Sequence, residues 1–288
     1  MQAKSIIGKS AAEIKAALDQ SIAEGYKPTL AFVFMSLKQE WPAVQALLNQ
    51  EGIAIFGATT AEAFTEKGIS NAGITLLLLD IDPHYFKLVF KDFEQSSPFQ
   101  SAGEIAETGL SSFTNPAFII VATVTKSPGN DIIYGIEEKA GADVTIIGGL
   151  AGDTQKLEGT VFTNNTSGKN GILCLVLDKD KIEVKGLAVS GWKPLGTVKK
   201  VTKSEGLWIH TIDDQPAMDV VEKYTGNLTL DSNETNKIVK LNSTYPLQVN
   251  RQESGQTMIP TLFLNKETRA VMCGQQVPAG TTFRFSLP

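Results

Sequence analysis

Apolar residues follow two rhythms along the chain, one with helical spacing and one with the compact blocks of buried strands. Ile14, Ala17, Leu18 and Ile22 recur at helical period behind Ser10-Ala11-Ala12-Glu13, whose spacing is that of a capping box and predicts a helix start. Gly25 ends that helix, and Thr29 to Met35 predicts a strand. Pro42 sits where the first turn of a second helix tolerates a missing N–H, and Gln50-Glu51-Gly52 closes it. Next comes Ile53-Ala54-Ile55-Phe56, which runs into the small residues Gly57-Ala58-Thr59-Thr60-Ala61 and then the acid Glu62. Such a block predicts a buried strand feeding a tight turn. Ile74 to Asp80 and Tyr85 to Phe90 predict a hairpin across Asp82-Pro83-His84, so the first unit reads α-β-α-β-turn-β-β.

The pattern then repeats. After a polar linker at Asp92 to Ser97, a helix is predicted at Ala102 to Ser112 and a strand at Ala117 to Thr123. Ser127-Pro128 supplies an N-cap hydroxyl and a proline at the first helical position of a helix running to Gly141. Val144 to Ile147 feeds Gly148-Gly149-Leu150-Ala151-Gly152-Asp153, a near copy of the first strand and turn. Asn71 to Asp82 aligns with Lys169 to Asp180, and hairpin strands are predicted at Gly171 to Leu177 and Ile182 to Val189. The expected fold is therefore α/β with mixed sheets. Two internally duplicated α-β-α-β-β-β units, at about 10–92 and 99–189, stack as four layers, αββα, beside a smaller C-terminal α+β part.

Beyond Ser190 the repeat stops. Strands to Val201 and at Leu207 to Ile212 precede a helix opened by Asp214-Gln215-Pro216-Ala217 and ending near Tyr224. Thr225 to Thr244 reads as a polar connection with a short helix around Thr235 to Leu241, and Tyr245 to Phe285 alternates like strands.

Composition narrows the function class. The chain has 288 residues, 42% apolar and 20% charged, with a formal net charge of -5, an ordinary globular balance for one large or two small domains. With no Lys/Arg run beyond Lys199-Lys200, no nucleic acid is expected as a partner. No apolar run is long enough to span a bilayer, and there is no leader-like block at the N-terminus, so no membrane is expected and the chain reads as cytoplasmic. Cys174 and Cys273 lie in apolar runs and read as small buried hydrophobes. His84 and His210 have no partner spacing, and Thr59-Thr60 has no signal for release of a terminal threonine nucleophile. Neither catalysis, a metal nor a cofactor is expected.

The Gly57 to Glu62 turn, Gly148 to Asp153, Gly191 to Gly196 and Gln215-Pro216-Ala217 with its following helix together resemble the N-terminal FIST domain, over about residues 20 to 225. Tyr245-Pro246-Leu247 and Val277 to Arg284 resemble the first part of the FIST C-terminal region, giving domains at 1–225 and 226–288. The resemblance implies a sensory module for small ligands such as amino acids, joined to a signalling output domain in a longer chain or acting on a partner. From the residues themselves, two related strand ends would face each other across a pseudo-twofold axis, with the pocket between them. Gly57, Ala58, Gly148, Gly149 and Gly152 would let a ligand carboxylate approach backbone N–H groups. Thr59 and Thr60 would add hydroxyls, and Glu62 and Asp153 would accept from an ammonium group. Two other readings are an interaction scaffold without a ligand and, less favoured, a hydrolase on an αββα fold.

Overall fold

The computed structural model describes residues 1–66, 68–70, 73–123, 129–152, 158–187, 191–225, 238–240, 246–251 and 255–287. The chain divides into two compact units, Met1–Gly186 and Leu187–Pro288, a division earlier in the chain than the 225/226 boundary of the sequence reading.

Unit 1 opens with a strand, β1 (Ala3–Gly8), which the sequence reading did not anticipate. It is followed by α1 (Ala11–Ala23), β2 (Leu30–Met35), α2 (Trp41–Gln50), β3 (Ala54–Thr59), a small hairpin of β4 (Ala63–Thr65) and β5 (Gly68–Ser70), and β6 (Ile74–Leu79). Then come β7 (Phe86–Asp92), α3 (Pro98–Ser112), β8 (Pro116–Ala122), α4 (Asn130–Ala140), β9 (Thr145–Leu150), β10 (Val161–Phe162), β11 (Ser167–Gly168) and β12 (Gly171–Asp178). The Ser10 cap follows the sequence, and the Ser97 cap was not anticipated. Ser10 Oγ accepts from Glu13 N at the start of α1, and Ser97 with Gln100 forms a reciprocal capping box that starts α3 at Pro98, ahead of the predicted Ala102. The predicted Ser127-Pro128 cap lies outside the described residues.

Two sheets form, in the orders β1-β6-β2-β3-β10-β11 and β7-β12-β8-β9. The predicted hairpin of Ile74–Asp80 with Tyr85–Phe90 does not exist. β6 pairs with β1 and β2 in the first sheet, whereas β7 pairs with β12 in the second. The Pro83–Tyr85 segment, a single 3-10 turn capped by Asp82, whose Oδ1 accepts from His84 N, carries the chain from one sheet to the other. The second predicted hairpin is also absent: β12 lies between β7 and β8, and residues 182–187 form no strand. Each run thus begins with the strand that borders its own last strand. The order is β-α-β-α-β then β, one element out of phase with the predicted α-β-α-β-β-β. Strand senses agree in both sheets: β1/β6 and β7/β12 are antiparallel, β6/β2 and β12/β8 are antiparallel, and β2/β3 and β8/β9 are parallel.

Continuous apolar strands arise because each buries both faces. In β2, Ala31, Val33 and Met35 pack under α1 and α2 with Ile14, Leu18, Val44 and Leu48. The alternate residues Leu30, Phe32 and Phe34 join a cluster with Val121, Leu173 and Leu175 of the other sheet. In β8 and β12, Phe118, Ile120, Cys174 and Val176 face α3 and α4. The layers are helix, sheet, sheet, helix, as expected from the sequence. Burial pushes the Cys273 thiol up to about 12 and the Cys174 thiol higher still. Both thiols are therefore expected to stay silent to a disulfide-exchange reagent near neutral pH and to react fully in denaturant. A thiol count of one in the native protein would contradict this placement.

Unit 2 contains β13 (Lys193–Glu205), β14 (Trp208–Ile212), β15 (Gln215–Pro216) and α5 (Ala217–Thr225). It continues with β16 (Ile238–Lys240), β17 (Leu247–Arg251), β18 (Gly255–Ile259), β19 (Thr261–Asn265), β20 (Ala270–Cys273) and β21 (Thr282–Leu287). The short helix expected near Thr235–Leu241 is corrected by β16, which pairs with β19 through Val239↔Leu264. Val201, Ile209, Ile212, Val220 and Val221 share one core with Leu247, Val249, Phe283 and Phe285, so the hairpin and helix after residue 190 pack with the tail strands.

Candidate ligand pocket

The leading halves of the two Gly-containing blocks are strand rather than turn. Gly57, Ala58 and Thr59 continue β3, in register with Val33, Phe34 and Met35 of β2, and Gly148, Gly149 and Leu150 continue β9 beside Ile120, Val121 and Ala122. On its other edge β3 is paired by β10, with Phe162 opposite Gly57 and Val161 opposite Ala58. A Cβ at Gly57 would lie 2.3 Å from the Phe162 ring, and one at Gly148 would lie 2.0 Å from the Ile120 carbonyl oxygen. Close packing accounts for both glycines. Around Gly149 and Gly152 a Cβ would meet nothing within 4 Å.

The structure does bring the two strand ends together. Gly152 N donates to the Thr59 carbonyl at 3.1 Å. Thr59 N donates to Thr160 O, Thr60 N to Met35 O and Ala151 N to Ala122 O, so these amides are spent on the fold. Thr59 is buried, its Oγ1 accepting from Thr160 N at 2.8 Å, and Ala58 is part of the inter-sheet core. Asp153 lies outside the described residues.

Thr60 and Glu62 border a different space. Thr60 Oγ1 donates to Glu62 O at 2.8 Å and holds the chain as it leaves β3 for the β4–β5 hairpin. Between that hairpin and the face of β1, β6 and β2 lies a hollow of about 740 Å³. That size falls within the roughly 300–1,000 Å³ of small-molecule sites. Its floor is set by register: Ser5, Leu77 and Phe32 form one cross-strand row, and Thr75 sits opposite Phe34 in the next. The Phe32 ring is held by Phe56, with centroids 5.1 Å apart. Ala63 and Phe64 of β4 border the hairpin side. Thr75 is 6% exposed, and its Oγ1 is buried without a hydrogen-bond partner. The sequence reading did not single out Ser5, Phe32, Phe34 and Thr75, which border this hollow. A signal was present, since Thr75 is the lone hydroxyl in the strand Ile74-Thr75-Leu76-Leu77-Leu78-Leu79.

Gly148 and Gly149 border a second hollow, of about 350 Å³, between α4 and the strands β8 and β9, lined by Ile132, Ile133, Glu137 and Ile146. The residues proposed from sequence are thus shared between two spaces on different sheets. Among the described residues no cluster of three or more His, Cys, Asp or Glu is placed to hold a metal, and no helix is long and apolar enough to cross a membrane.

Unit 1 is thus a four-layer α/β unit with a largely apolar hollow of small-molecule size, a fold that does not by itself fix a function. The model of the FIST N domain matches residues 29–215, more than half of the chain, and the protein belongs to this family, whose members are sensory domains of signal-transduction proteins. No curated protein matches the chain.

Proposed function

We propose that unit 1 is the small-ligand-binding part of a cytoplasmic, non-catalytic sensory protein, and that its ligand is an amino acid or a similar small metabolite held in the hollow beside the β4–β5 hairpin. The signal passes to an output domain in the same longer chain or in a partner protein. The observation that carries this reading is the Thr75 hydroxyl, buried and unpartnered at the border of a largely apolar hollow of about 740 Å³. A buried polar group left unsatisfied costs about 1–3 kcal/mol, so a ligand atom that bonded to this hydroxyl would recover that cost on binding. The matching topology of the two sheets supports descent from a duplicated unit, with the connection between the third and last strands free to diverge. In the first run that connection forms the β4–β5 hairpin, and in the second it becomes β10–β11, added to the edge of β3.

A thermal-shift screen of amino acids, amines and organic acids tests the function. At about 100 times its dissociation constant a ligand stabilises the fold by about 2.7 kcal/mol. For a unit of this size each kcal/mol moves Tm by about 2–4 degrees, so a shift of several degrees is expected. A flat screen, repeated flat by calorimetry, would favour an interaction scaffold instead.

A further inference from the structure

The two sheets share strand order and sense, so their registers show which positions depart from the common plan. Phe34↔Thr75 in the first sheet occupies the place of Val121↔Leu173 in the second, and Leu77↔Ser5 that of Leu175↔Leu88. Leu173 is fully buried in the inter-sheet core and Leu88 packs against it. Where the second sheet seals its inner face with two leucines, the first presents two hydroxyls, and both border the hollow. The described charged residues around it are Glu62 and Glu66; it has no described Lys, Arg or His. Glu62 is exposed, and its carboxylate makes no ion pair among the described residues.

We propose that this hollow reads the ammonium end of its ligand: it takes a small organic ammonium ion with an apolar body, and amines bind it more tightly than carboxylic acids of the same shape. This rests on the sensory reading given above and names the ligand chemistry of that site. The apolar body lies against Phe32 and Phe34, whose ring faces also favour a nearby cation. Ammonium N–H groups donate to the Thr75 oxygen and to the Glu62 carboxylate, which supplies the neutralising charge. A carboxylate in the same place would meet Glu62 with no cation among the described lining residues to offset it.

The test is titration calorimetry with 2-phenylethylamine, phenylalanine and 3-phenylpropionate, which share a phenyl body and differ in charge. The amine is expected to bind tightest, phenylalanine more weakly, and the acid at least about tenfold more weakly than the amine. Because Glu62 is solvent-exposed, Glu62→Gln should weaken the amine only about two- to fivefold and narrow the gap between amine and acid. Thr75→Val should weaken the amine several-fold while raising the ligand-free Tm, since a methyl replaces a hydroxyl that has no partner. An acid that binds as tightly as the amine, or an amine-to-acid ratio unmoved by Glu62→Gln, would overturn the ammonium reading and leave ligand sensing intact. A lower ligand-free Tm in Thr75→Val, or no binding by any of the three probes, also overturns it, whereas the function itself is decided by the wider screen.

Discussion

Replacing Phe162 by alanine should destabilise unit 1 by about 3–5 kcal/mol, the range for removing a buried aromatic ring. The ring is fully buried, stacks on Trp41 with centroids 5.4 Å apart, and enters the core beneath α1 and α2 from β10, far along the chain from the other members of that core. At about 2–4 degrees per kcal/mol, Tm should fall by about 10 degrees. Its partner is Gly57, because a methyl there would press into the same ring. Gly57→Ala alone should cost about 1–3 kcal/mol through overpacking. In the double variant the methyl meets no ring, so the two losses should fall short of their sum. Strictly additive losses would mean that the ring does not rest on Gly57. A variant Gly57→Ala that keeps its ligand-free Tm but loses ligand affinity would return Gly57 to the binding role proposed from sequence.

The second large effect is one of sign. Gly103 and Gly135 are both buried helical glycines where α3 packs on α4, and helix propensity alone favours alanine at each by about 1 kcal/mol. A Cβ on Gly103 would find its nearest neighbour, the Gly135 carbonyl oxygen, at an ordinary 3.5 Å. One on Gly135 would lie 2.2 Å from the Phe99 carbonyl oxygen, a backbone atom that cannot turn aside. Gly103→Ala should therefore stabilise by about 0.5–1 kcal/mol, and Gly135→Ala should destabilise by about 3 kcal/mol, at the upper end of overpacking. Chemical denaturation of the two variants compares them directly, and a gain in both would mean that the helices do not cross this closely.

Much of the scaffold around the hollow was legible in the sequence, and the hollow itself was not. The helices and the long buried strands were legible because local spacing encodes them: Ile14 and Leu18 lie one turn apart, and every residue of Leu30 to Met35 is apolar because the strand has core on both sides. The Gly57 block also stood out, and the structure gives it a packing reason. Its partner Phe162 lies about a hundred positions away, and a close packing contact leaves the same mark in sequence as a close ligand contact. Thr75 passed unremarked among leucines, although the repeat that aligns it with Leu173 was itself visible.

The sequence by itself determined the alternation of helices with buried strands and the Ser10 cap, because these are written in contacts between residues a few positions apart. Only the tertiary structure decided which strands pair. A turn such as Asp82-Pro83-His84 is equally compatible with a hairpin and with a crossing between sheets, and the choice fell to the crossing because β1 fills the edge of β6 while β12 offers its edge to β7. The same step settled which polar side chain stands buried at a hollow and which stands in solvent, since burial depends on neighbours that chain distance does not reveal.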